Sequence, residues 1–259
     1  MANAKYELQD GVALITLNDP ATLNAISVEM TEELNVLFDQ ACDEARCIVL
    51  TGEGRGFSSG ANLASGAPPI AEDGLPDLGG RLEKTFNPFV NKLRDLPIPY
   101  VTAVNGVAAG IGCSFALLGD LIVAGESAYF LQAFRRIGLV PDGSATYHLP
   151  RMIGRARAME MMLLGERIPA KQAYDWGLVN RCVPDAELLP TAKALALELA
   201  NGPASLGMIR RLAWSSLDNT WEEQLHAERQ TQKLAGRTED CREGVAAFLQ
   251  KRPAQFKGS

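Results

Sequence analysis

The feature that most constrains the fold is a repeated unit, in which a short apolar run leads into a glycine-rich turn and then a helical stretch. The first apolar run covers residues 47–51 and is followed by glycines at 52, 54, 56 and 60. The second covers residues 100–104 and is followed by glycines at 106, 110 and 112. An apolar run bounded by glycine predicts a buried strand, and strands that alternate with helices favour a layered α/β architecture.

The same signals assign the rest of the chain. Asp10-Gly11 predicts a hairpin between strands at 6–9 and 12–17. Helical spacing of apolar residues predicts a helix over 28–45 with Ser27 as its N-cap. The remaining predictions are an irregular loop over 64–80, helices over 81–95 and near 114–118, a strand over 121–124, and a mostly helical region from 154 to 251 with breaks at 168–169, 178–183 and 201–203.

We predict a boundary near residue 201. Residues 1–201 would form the α/β core, and residues 202–259 a helical C-terminal region with helices near 204–217, 221–234 and 240–251. The segment 96–119 has no charged residue, which raises the question of a membrane span. Its two prolines open the segment and its glycines fall where helix propensity should be strongest, so we interpret it as a buried strand and turn.

Composition excludes several function classes. A net charge of −6 and a pI of about 5.1 argue against broad nucleic-acid binding. The five cysteines are odd in number and contain no CxxC pair, which favours a reducing cytoplasm. The two histidines have no metal-ligand spacing, so no metal site is expected. The first residues lack the apolar core of a signal peptide, and we expect a cytoplasmic protein without a membrane or nucleic-acid partner.

Both glycine turns are candidate anion sites. A helix that follows such a turn presents backbone N–H groups without partners, and two turns could supply two N–H groups to one oxygen. The alternative is simply tight packing of the turns.

Two further motifs have competing interpretations. Residues 56–60 match GxSxG, the nucleophile elbow of α/β-hydrolases. However, Ser58 lies well beyond the strand end, and no histidine is followed by an obvious orienting acid. Asp142 lies between Pro141 and Gly143, in front of an expected short helix. By itself this pattern predicts a turn with aspartate as an N-cap, and a catalytic carboxylate is the other possibility.

These motifs together resemble the crotonase superfamily of enoyl-CoA hydratases and isomerases. The resemblance covers essentially the whole chain, and several motifs occur in the family's order. They are Leu17-Asn18-Asp19-Pro20 with Asn24-Ala25, residues 56–63, residues 103–120, Leu149-Pro150-Arg151 with Gly154, and residues 242–253.

The resemblance implies a spiral of repeated ββα units, a helical C-terminal region that makes a homotrimer or a dimer of trimers, and an acyl-CoA substrate. Coenzyme A then enters as part of the substrate, and no separate cofactor is implied. The resemblance also implies that the amides of Ala61 and Ile111 hold the thioester oxygen. The other substrate and CoA contacts would be Leu23, Ser59, Asn62, Leu63, Ser114 and Phe134.

The chain departs from the family pattern at three positions. The two glutamates by which hydratases of this family activate water would fall at Ser114 and Phe134, and neither side chain can serve as an unaided base. Position 111, usually glycine, is isoleucine, which keeps its backbone N–H. Asp142 matches the carboxylate that isomerases of the family use, and residues 132–157 and 234–257 look most like the epoxyphenylacetyl-CoA isomerase branch.

The leading hypothesis is therefore an acyl-CoA isomerase with Asp142 as acid and base. An atypical enoyl-CoA hydratase and a non-catalytic CoA-binding paralogue are the alternatives. Asp120 is expected to be a buried cap or an ion-pair partner, His148 to face away from Asp142, and His226 to be exposed or at a subunit contact. The methionines at 159, 161 and 162 are expected in the core.

Overall fold

Two β-sheets organise the chain. A computed structural model describes residues 2–64, 66 and 68–259, and these form a six-stranded and a four-stranded sheet. The strands are β1 Ala4–Gln9, β2 Val12–Leu17, β3 Cys47–Gly52, β4 Gly56–Ser58, β5 Tyr100–Val104, β6 Val107–Ala109, β7 Leu121–Gly125, β8 Tyr129–Leu131, β9 Ile168–Pro169 and β10 Arg181–Val183.

The larger sheet has the order β1-β2-β3-β5-β7-β10. Strands β1 and β2 form the predicted hairpin, and its turn has positive φ at both Asp10 (51°) and Gly11 (75°), as a tight hairpin of this hand requires. The strands from β2 onward run parallel. A parallel sheet is covered on both faces, which explains why its strands are continuous apolar runs instead of alternating ones.

The smaller sheet has the order β4-β6-β8-β9, in which β4, β6 and β8 are parallel. The pairs β3-β4, β5-β6 and β7-β8 each place one strand in the larger sheet and the next in the smaller one before a helical segment follows, whereas β1 and β2 both lie in the larger sheet. The chain therefore winds as a spiral of ββα units, which confirms the predicted fold class.

Helices cover the sheets. The first begins at its predicted N-cap, because the Oγ of Ser27 accepts a hydrogen bond from the backbone N–H of Met30 at 3.1 Å, and it buries Met30, Leu34, Phe38 and Ala41 on one face. The helices are α1 Val28–Glu44, α2 Leu78–Arg81, α3 Asn87–Asp95, α4 Gly110–Leu117, α5 Ala145–Leu164, α6 Ala170–Asp175, α7 Leu188–Ala200, α8 Ser205–Ser215, α9 Trp221–Ala235 and α10 Glu239–Gln250.

Three helix predictions are corrected. The helix expected near 114–118 begins at Gly110, directly after β6, because the sheet positions its first turn despite two glycines. The helix expected over 81–95 begins at Leu78 and passes through one wider, π-helical turn at Leu82–Phe86. The short helix expected behind Asp142 and the helical region expected from 154 form one helix, α5, which begins at Ala145 and whose backbone breaks at Gly154 (φ 76°).

The loop predicted over 64–80 lies partly outside the described residues, namely at Ser65 and Ala67. Its described part contains turns and an isolated bridge between Ile70 and Pro76, and it ends at α2.

The core lies on both faces of the larger sheet. On one face Val12, Val49 and Val101 pack against the buried side of α7, which presents Leu188 and Ala192. On the other face a larger cluster joins α1, α3, α4 and α5 around the aromatic rings of Phe38, Phe89, Phe115 and Tyr100. The boundary predicted near residue 201 falls between α7 and α8, and a division into domains stays a prediction.

A buried ion pair ties α8 to the core. The Nε of Arg210 lies 2.7 Å from Oδ2 of Asp120, and the same carboxylate oxygen accepts a hydrogen bond from Tyr100 N. The guanidinium also donates to the backbone carbonyls of Leu93, Arg94 and Leu96. Asp120 is thus an ion-pair partner, as predicted. Among the described residues, no helix is both long and apolar enough to cross a membrane.

Replacing Arg210 tests how much this ion pair stabilises the chain. In Arg210→Met the carboxylate of Asp120 loses its counter-charge while it stays largely enclosed. The free energy of unfolding should therefore fall by about 3–5 kcal/mol, measured by urea denaturation at pH 7. The double variant Arg210→Met/Asp120→Asn should recover part of the loss.

Lys171→Met is the matched control, because the Lys171–Asp175 ion pair is exposed on both sides. It should leave the free energy of unfolding nearly unchanged. Equal effects of Arg210→Met and Lys171→Met would contradict the role assigned to the buried pair.

Candidate active site

Three neighbouring parallel strands of the smaller sheet end at the same edge. Strand β4 leads to Ala61, strand β6 leads directly into α4 at Ile111, and strand β8 leads to Phe134. Parallel strands place their carboxyl ends together, where ligands of α/β proteins commonly bind. The topology therefore gathers three positions that are far apart in the chain.

The segment after β4 touches the start of α4 at two glycines. A Cβ atom built on Gly60 would lie 2.9 Å from the carbonyl oxygen of Ala109, and one built on Gly110 would lie 3.9 Å from the Cα of Gly60. Both glycines have positive φ, 102° and 52°. Only residues without a side chain permit this approach, so Ala61 and Ile111, which follow the two glycines, are held close together.

The amides of Ala61 and Ile111 differ in their surroundings. Ala61 bridges to Ile26, and the bonds that make the bridge come from Ile26 N to Gly60 O and from Asn62 N to Ile26 O. They flank Ala61 and leave its own N–H pointing away from the bridge. Ile111 lies in the first turn of α4, where N–H groups have no acceptor within the helix. Both N–H groups are thus available to an external acceptor.

The side chain of Ile111 has a defined place, which accounts for an isoleucine at this turn. It is buried, and a Cβ atom on Gly143 would lie only 3.2 Å from its Cγ1. The isoleucine therefore packs towards the segment 142–144, where Gly143 leaves room for it.

Asp142 lies on that same segment. Its Oδ1 is enclosed and has no hydrogen-bond partner among the described residues. Burial raises the pKa of Asp142 from its ordinary value of 3.8 to about 6. The prediction that Asp142 caps a helix is wrong, because the N-cap of α5 is Ser144, which has φ 69° and makes no side-chain cap bond. The carboxyl is instead left free.

Ser114 contacts the segment of Asp142, and Phe134 lies against the glycine that precedes Ile111. The Oγ of Ser114 donates a hydrogen bond of 3.0 Å to the backbone carbonyl of Asp142. The ring of Phe134 is 8% exposed, and its Cζ would lie 3.7 Å from a Cβ atom on Gly110. The two positions considered for water-activating carboxylates thus hold a hydroxyl that is already hydrogen-bonded and an apolar ring.

The other predicted contact residues line the same edge. Ser59 donates its backbone N–H to the carbonyl of Leu23 at 2.8 Å, next to Ala61. Asn62 follows Ala61 and is partly buried, whereas Leu63 is 70% exposed. The structure therefore brings Leu23, Ser59, Asn62 and Leu63 into one strip beside the two amides.

Several other candidates lie elsewhere or are structural. Ser58 is fully buried and donates its Oγ–H to the carbonyl of Asn24 at 2.7 Å, which is unlike an exposed hydrolase nucleophile. His148 packs on Trp214 beside a cavity of about 470 Å³ that Asp142 does not line, and burial lowers the pKa of His148 to about 4. His226 is exposed.

The methionines divide in their burial. Met161 is buried, Met162 is partly buried against the core, and Met159 is 38% exposed, so the core prediction is wrong for Met159. Within the described part of the chain, no three His, Cys, Asp or Glu side chains are grouped to hold a metal ion.

Sequence reasoning missed two residues that shape this site. Asn24 is fully buried, and its Nδ2 donates to the carbonyls of Glu53 and Gly56, so it holds the turn before β4. Gly143 makes room for Ile111 and Ser114, with a Cβ atom there placed 2.8 Å from the Cβ of Ser114. In the sequence, Asn24 was visible as part of the Asn24-Ala25 motif, whereas Gly143 was visible only as part of the Pro-Asp-Gly turn.

The arrangement combines two chemical capabilities. Preorganised N–H groups can stabilise negative charge that develops on an oxygen atom. A carboxyl that titrates near pH 6 can both accept and return a proton near neutral pH. Together they suit proton transfer at a carbon next to a carbonyl group.

Comparison with known proteins agrees with this chemistry. Residues 7–259 match the model of a family described as "Enoyl-CoA hydratase/isomerase". A 1,2-epoxyphenylacetyl-CoA isomerase of Escherichia coli is 46% identical over 255 residues and covers 97% of each chain. A protein of Rhodobacter capsulatus named "Probable enoyl-CoA hydratase" is 42% identical over 255 residues, which cover 98% of this chain and 97% of that one.

A solved structure shares the fold. The enoyl-CoA hydratase subunit I of Geobacillus kaustophilus superposes with a TM-score of 0.90 at 34% identity, covering 99% of this chain and 98% of that one.

The raised pKa of Asp142 predicts a pH-dependent gain of stability in Asp142→Asn. The folded chain binds this proton more tightly than the unfolded chain. The free energy of unfolding of the parent therefore decreases as the pH rises from about 4 to about 6, and this loss stays constant at higher pH. At pH 8 the variant should be more stable than the parent by about 2–3 kcal/mol, and at pH 4 the difference should disappear.

Urea denaturation at both pH values measures this difference. Asp43→Asn, at an exposed position of α1, is the control. A stability difference between Asp142→Asn and the parent that is the same at pH 4 and pH 8 would contradict the raised pKa.

Proposed function

The chain belongs to the enoyl-CoA hydratase/isomerase family, the crotonase superfamily, and from this membership we propose that it is an acyl-CoA isomerase. It shifts a double bond, or rearranges a ring epoxide, through a thioester enolate, with Asp142 as acid and base. The observation that carries this proposal is the enclosed carboxyl of Asp142, whose Oδ1 has no hydrogen-bond partner among the described residues and whose backbone carbonyl accepts a bond from Ser114 of α4.

The amides of Ala61 and Ile111 form the oxyanion hole. When a proton leaves the carbon next to a thioester, negative charge develops on the thioester oxygen. Two fixed N–H groups stabilise that charge more than they stabilise the neutral substrate, by about 3–4 kcal/mol for each donor. The glycines that precede both residues support this role, because they allow the two amides to approach one oxygen.

The double-bond shift needs only one carboxylate. For a 3-enoyl thioester the C2–H bond breaks, the proton moves to Asp142, and the electron pair of the bond passes into the thioester as an enolate. Asp142 then returns the proton to C4, the electrons of the former C3–C4 double bond form the new C–H bond, and the double bond ends between C2 and C3. A base with a pKa of about 6 suits both steps near neutral pH.

Hydration is disfavoured by the residues around Asp142. Water addition in this family needs carboxylates at positions that here hold Ser114, whose hydroxyl binds the Asp142 carbonyl, and Phe134, whose ring is buried at Gly110. An apolar wall also keeps water from the enolate. The hydratase alternative nevertheless has a specific basis, since several relatives, among them the protein of Rhodobacter capsulatus, are named hydratases or probable hydratases.

The acyl-CoA would lie along the strip of Leu23, Ser59, Asn62 and Leu63, and coenzyme A enters as part of the substrate. We propose a homotrimer or a dimer of trimers as the assembly. Exposed apolar side chains on α9 and α10 support an assembly that covers them. They are Trp221, Leu225, Leu234, Val245, Phe248 and Leu249.

Asp142→Asn tests the proposed reaction directly. With 3-enoyl-CoA in deuterated water, the parent should convert substrate to 2-enoyl-CoA without adding water, and mass spectrometry follows both events. Asp142→Asn should lower kcat by at least about 100-fold, because general acid–base catalysis contributes about 10²–10⁴-fold. Asp43→Asn, on the exposed side of α1, is the matched control and should keep the parent rate.

Other outcomes would support the alternatives. Addition of one water to 2-enoyl-CoA at a comparable rate would indicate a hydratase. A non-catalytic CoA-binding paralogue would bind both thioesters tightly. It would turn over neither of them, nor a ring-epoxide thioester.

The pH profile of the parent provides a second test. Below about pH 6 Asp142 carries a proton and cannot accept another, so kcat/KM should fall about tenfold for each pH unit. Steady-state assays from pH 4.5 to pH 8 measure this limb. An acid limb centred near pH 4 would show that the base is an exposed carboxyl and not Asp142.

A further inference from the structure

The hydroxyl of Ser114 donates a hydrogen bond to the backbone segment that carries Asp142. Ser114 lies in α4 and is 3% exposed, and its Oγ donates to the Asp142 carbonyl oxygen at 3.0 Å. A serine inside a helix commonly bonds back to a carbonyl of its own helix. Here the bond instead joins α4 to a segment that lies 28 residues further along the chain.

Two further contacts fasten this segment to the same helix. Gly143, with φ 57°, is so close to α4 that a Cβ atom there would lie 2.8 Å from the Cβ of Ser114 and 3.2 Å from Cγ1 of Ile111. Ile111 and Ser114 are three residues apart and so share one face of α4. The backbone of residues 142 and 143 therefore rests on the face of α4 that carries the side chains of Ile111 and Ser114.

The carboxyl of Asp142 has no comparable support of its own. Its Oδ1 has no partner among the described residues, and burial is the only cause that raises its pKa. A side chain whose Oδ1 has no hydrogen bond takes its position from its backbone. Whatever holds the backbone of Asp142 consequently helps to hold the carboxyl in its enclosed position.

We propose that Ser114 is a positioning residue, whose hydrogen bond to the Asp142 carbonyl holds the carboxyl at a set distance from the Ile111 amide. This inference rests on the function proposed above, in which Asp142 moves a proton and Ile111 binds the thioester oxygen. One rigid helix then determines the separation of base and oxyanion hole.

Ser114→Ala tests the inference, with Thr102→Val as the matched control. Thr102 is fully buried on β5, and its Oγ1 donates to the carbonyl of Ala116 on the same helix at 2.8 Å. Each variant removes one buried hydroxyl that bonds a backbone carbonyl at α4. Both should therefore lower the thermal unfolding temperature to a similar extent.

The kinetics should separate the two variants. In the isomerase assay with 3-enoyl-CoA, Ser114→Ala should lower kcat by about 10–100-fold, because a small displacement of a reacting group reduces the rate strongly. KM should stay within about twofold, because Ser114 contributes little to ground-state binding in this role. Thr102→Val should keep both kcat and KM.

The pH profile adds a measurement that a purely structural role would leave unchanged. A carboxyl released from its position gains access to water, so the acid limb of kcat/KM in Ser114→Ala should move to lower pH. The acid limb of Thr102→Val should stay where it is in the parent. Ser114→Cys keeps the shape of the side chain with a somewhat larger atom that is only a weak donor. It should also lower kcat, which keeps the test open should Ser114→Ala fail to fold.

Two different results would overturn two different claims. If Asp142→Asn is inactive while Ser114→Ala and Ser114→Cys match Thr102→Val in kcat and in the acid limb, the positioning role is wrong and the proposed function stands. If Asp142→Asn keeps full isomerase activity, the proposed function fails and Ser114 has no base to position.

Discussion

The site depends on how closely the backbone after β4 approaches the start of α4. Gly60 and Gly110 meet there, and a Cβ atom at Gly60 would come within 2.9 Å of the carbonyl oxygen of Ala109. Since no side chain fits in this gap, the two amides that follow can face one small volume. The parallel pairing of β4 with β6 supports the approach, because it brings both strand ends to the same edge.

Helix α4 connects this contact to the rest of the molecule. All of its residues are buried and none is charged. Its first turn supplies the Ile111 amide, Ser114 holds the segment of Asp142, and its later carbonyls accept a bond from Thr102 on β5. A short helix in this environment cannot shift without disturbing the larger sheet, so the geometry at its N-terminus is as rigid as the core. The enclosed carboxyl of Asp142 is tolerated because the surrounding packing stabilises the fold.

The sequence predicts much of this architecture, and its failures have physical causes. Strong local signals, such as Asp10-Gly11 in the hairpin and Ser27 at the start of α1, were confirmed because the turn and the cap depend on neighbouring residues alone. The start of α4 was wrong, because glycine at 110 lowers local helix propensity and the sheet overrides it. The N-cap that was one of two interpretations of Asp142 is absent, because α5 begins two residues later with Ser144 as its N-cap.

The candidate site was predicted as a set of residues, but not as a set of contacts. The family motifs named Ala61, Ile111, Ser114 and Asp142, and the fold brings them to one edge of a sheet. The bond from Ser114 to the Asp142 carbonyl spans 28 residues and no local pattern indicates it. The enclosed state of the carboxyl is likewise a property of the folded chain, because burial alone raises its pKa.

Ile111 and Gly143 also constrain how a sequence like this can diverge. A Cβ atom at position 143 would lie 3.2 Å from Cγ1 of Ile111 and 2.8 Å from the Cβ of Ser114, so two residues of α4 restrict this position together. Its φ of 57° disfavours any residue with a side chain as well. A smaller residue at 111 therefore does not by itself open position 143. Helix α4 can accept changes at Ile111 one at a time, whereas the glycine beside Asp142 is tied to the backbone and to both neighbours at once.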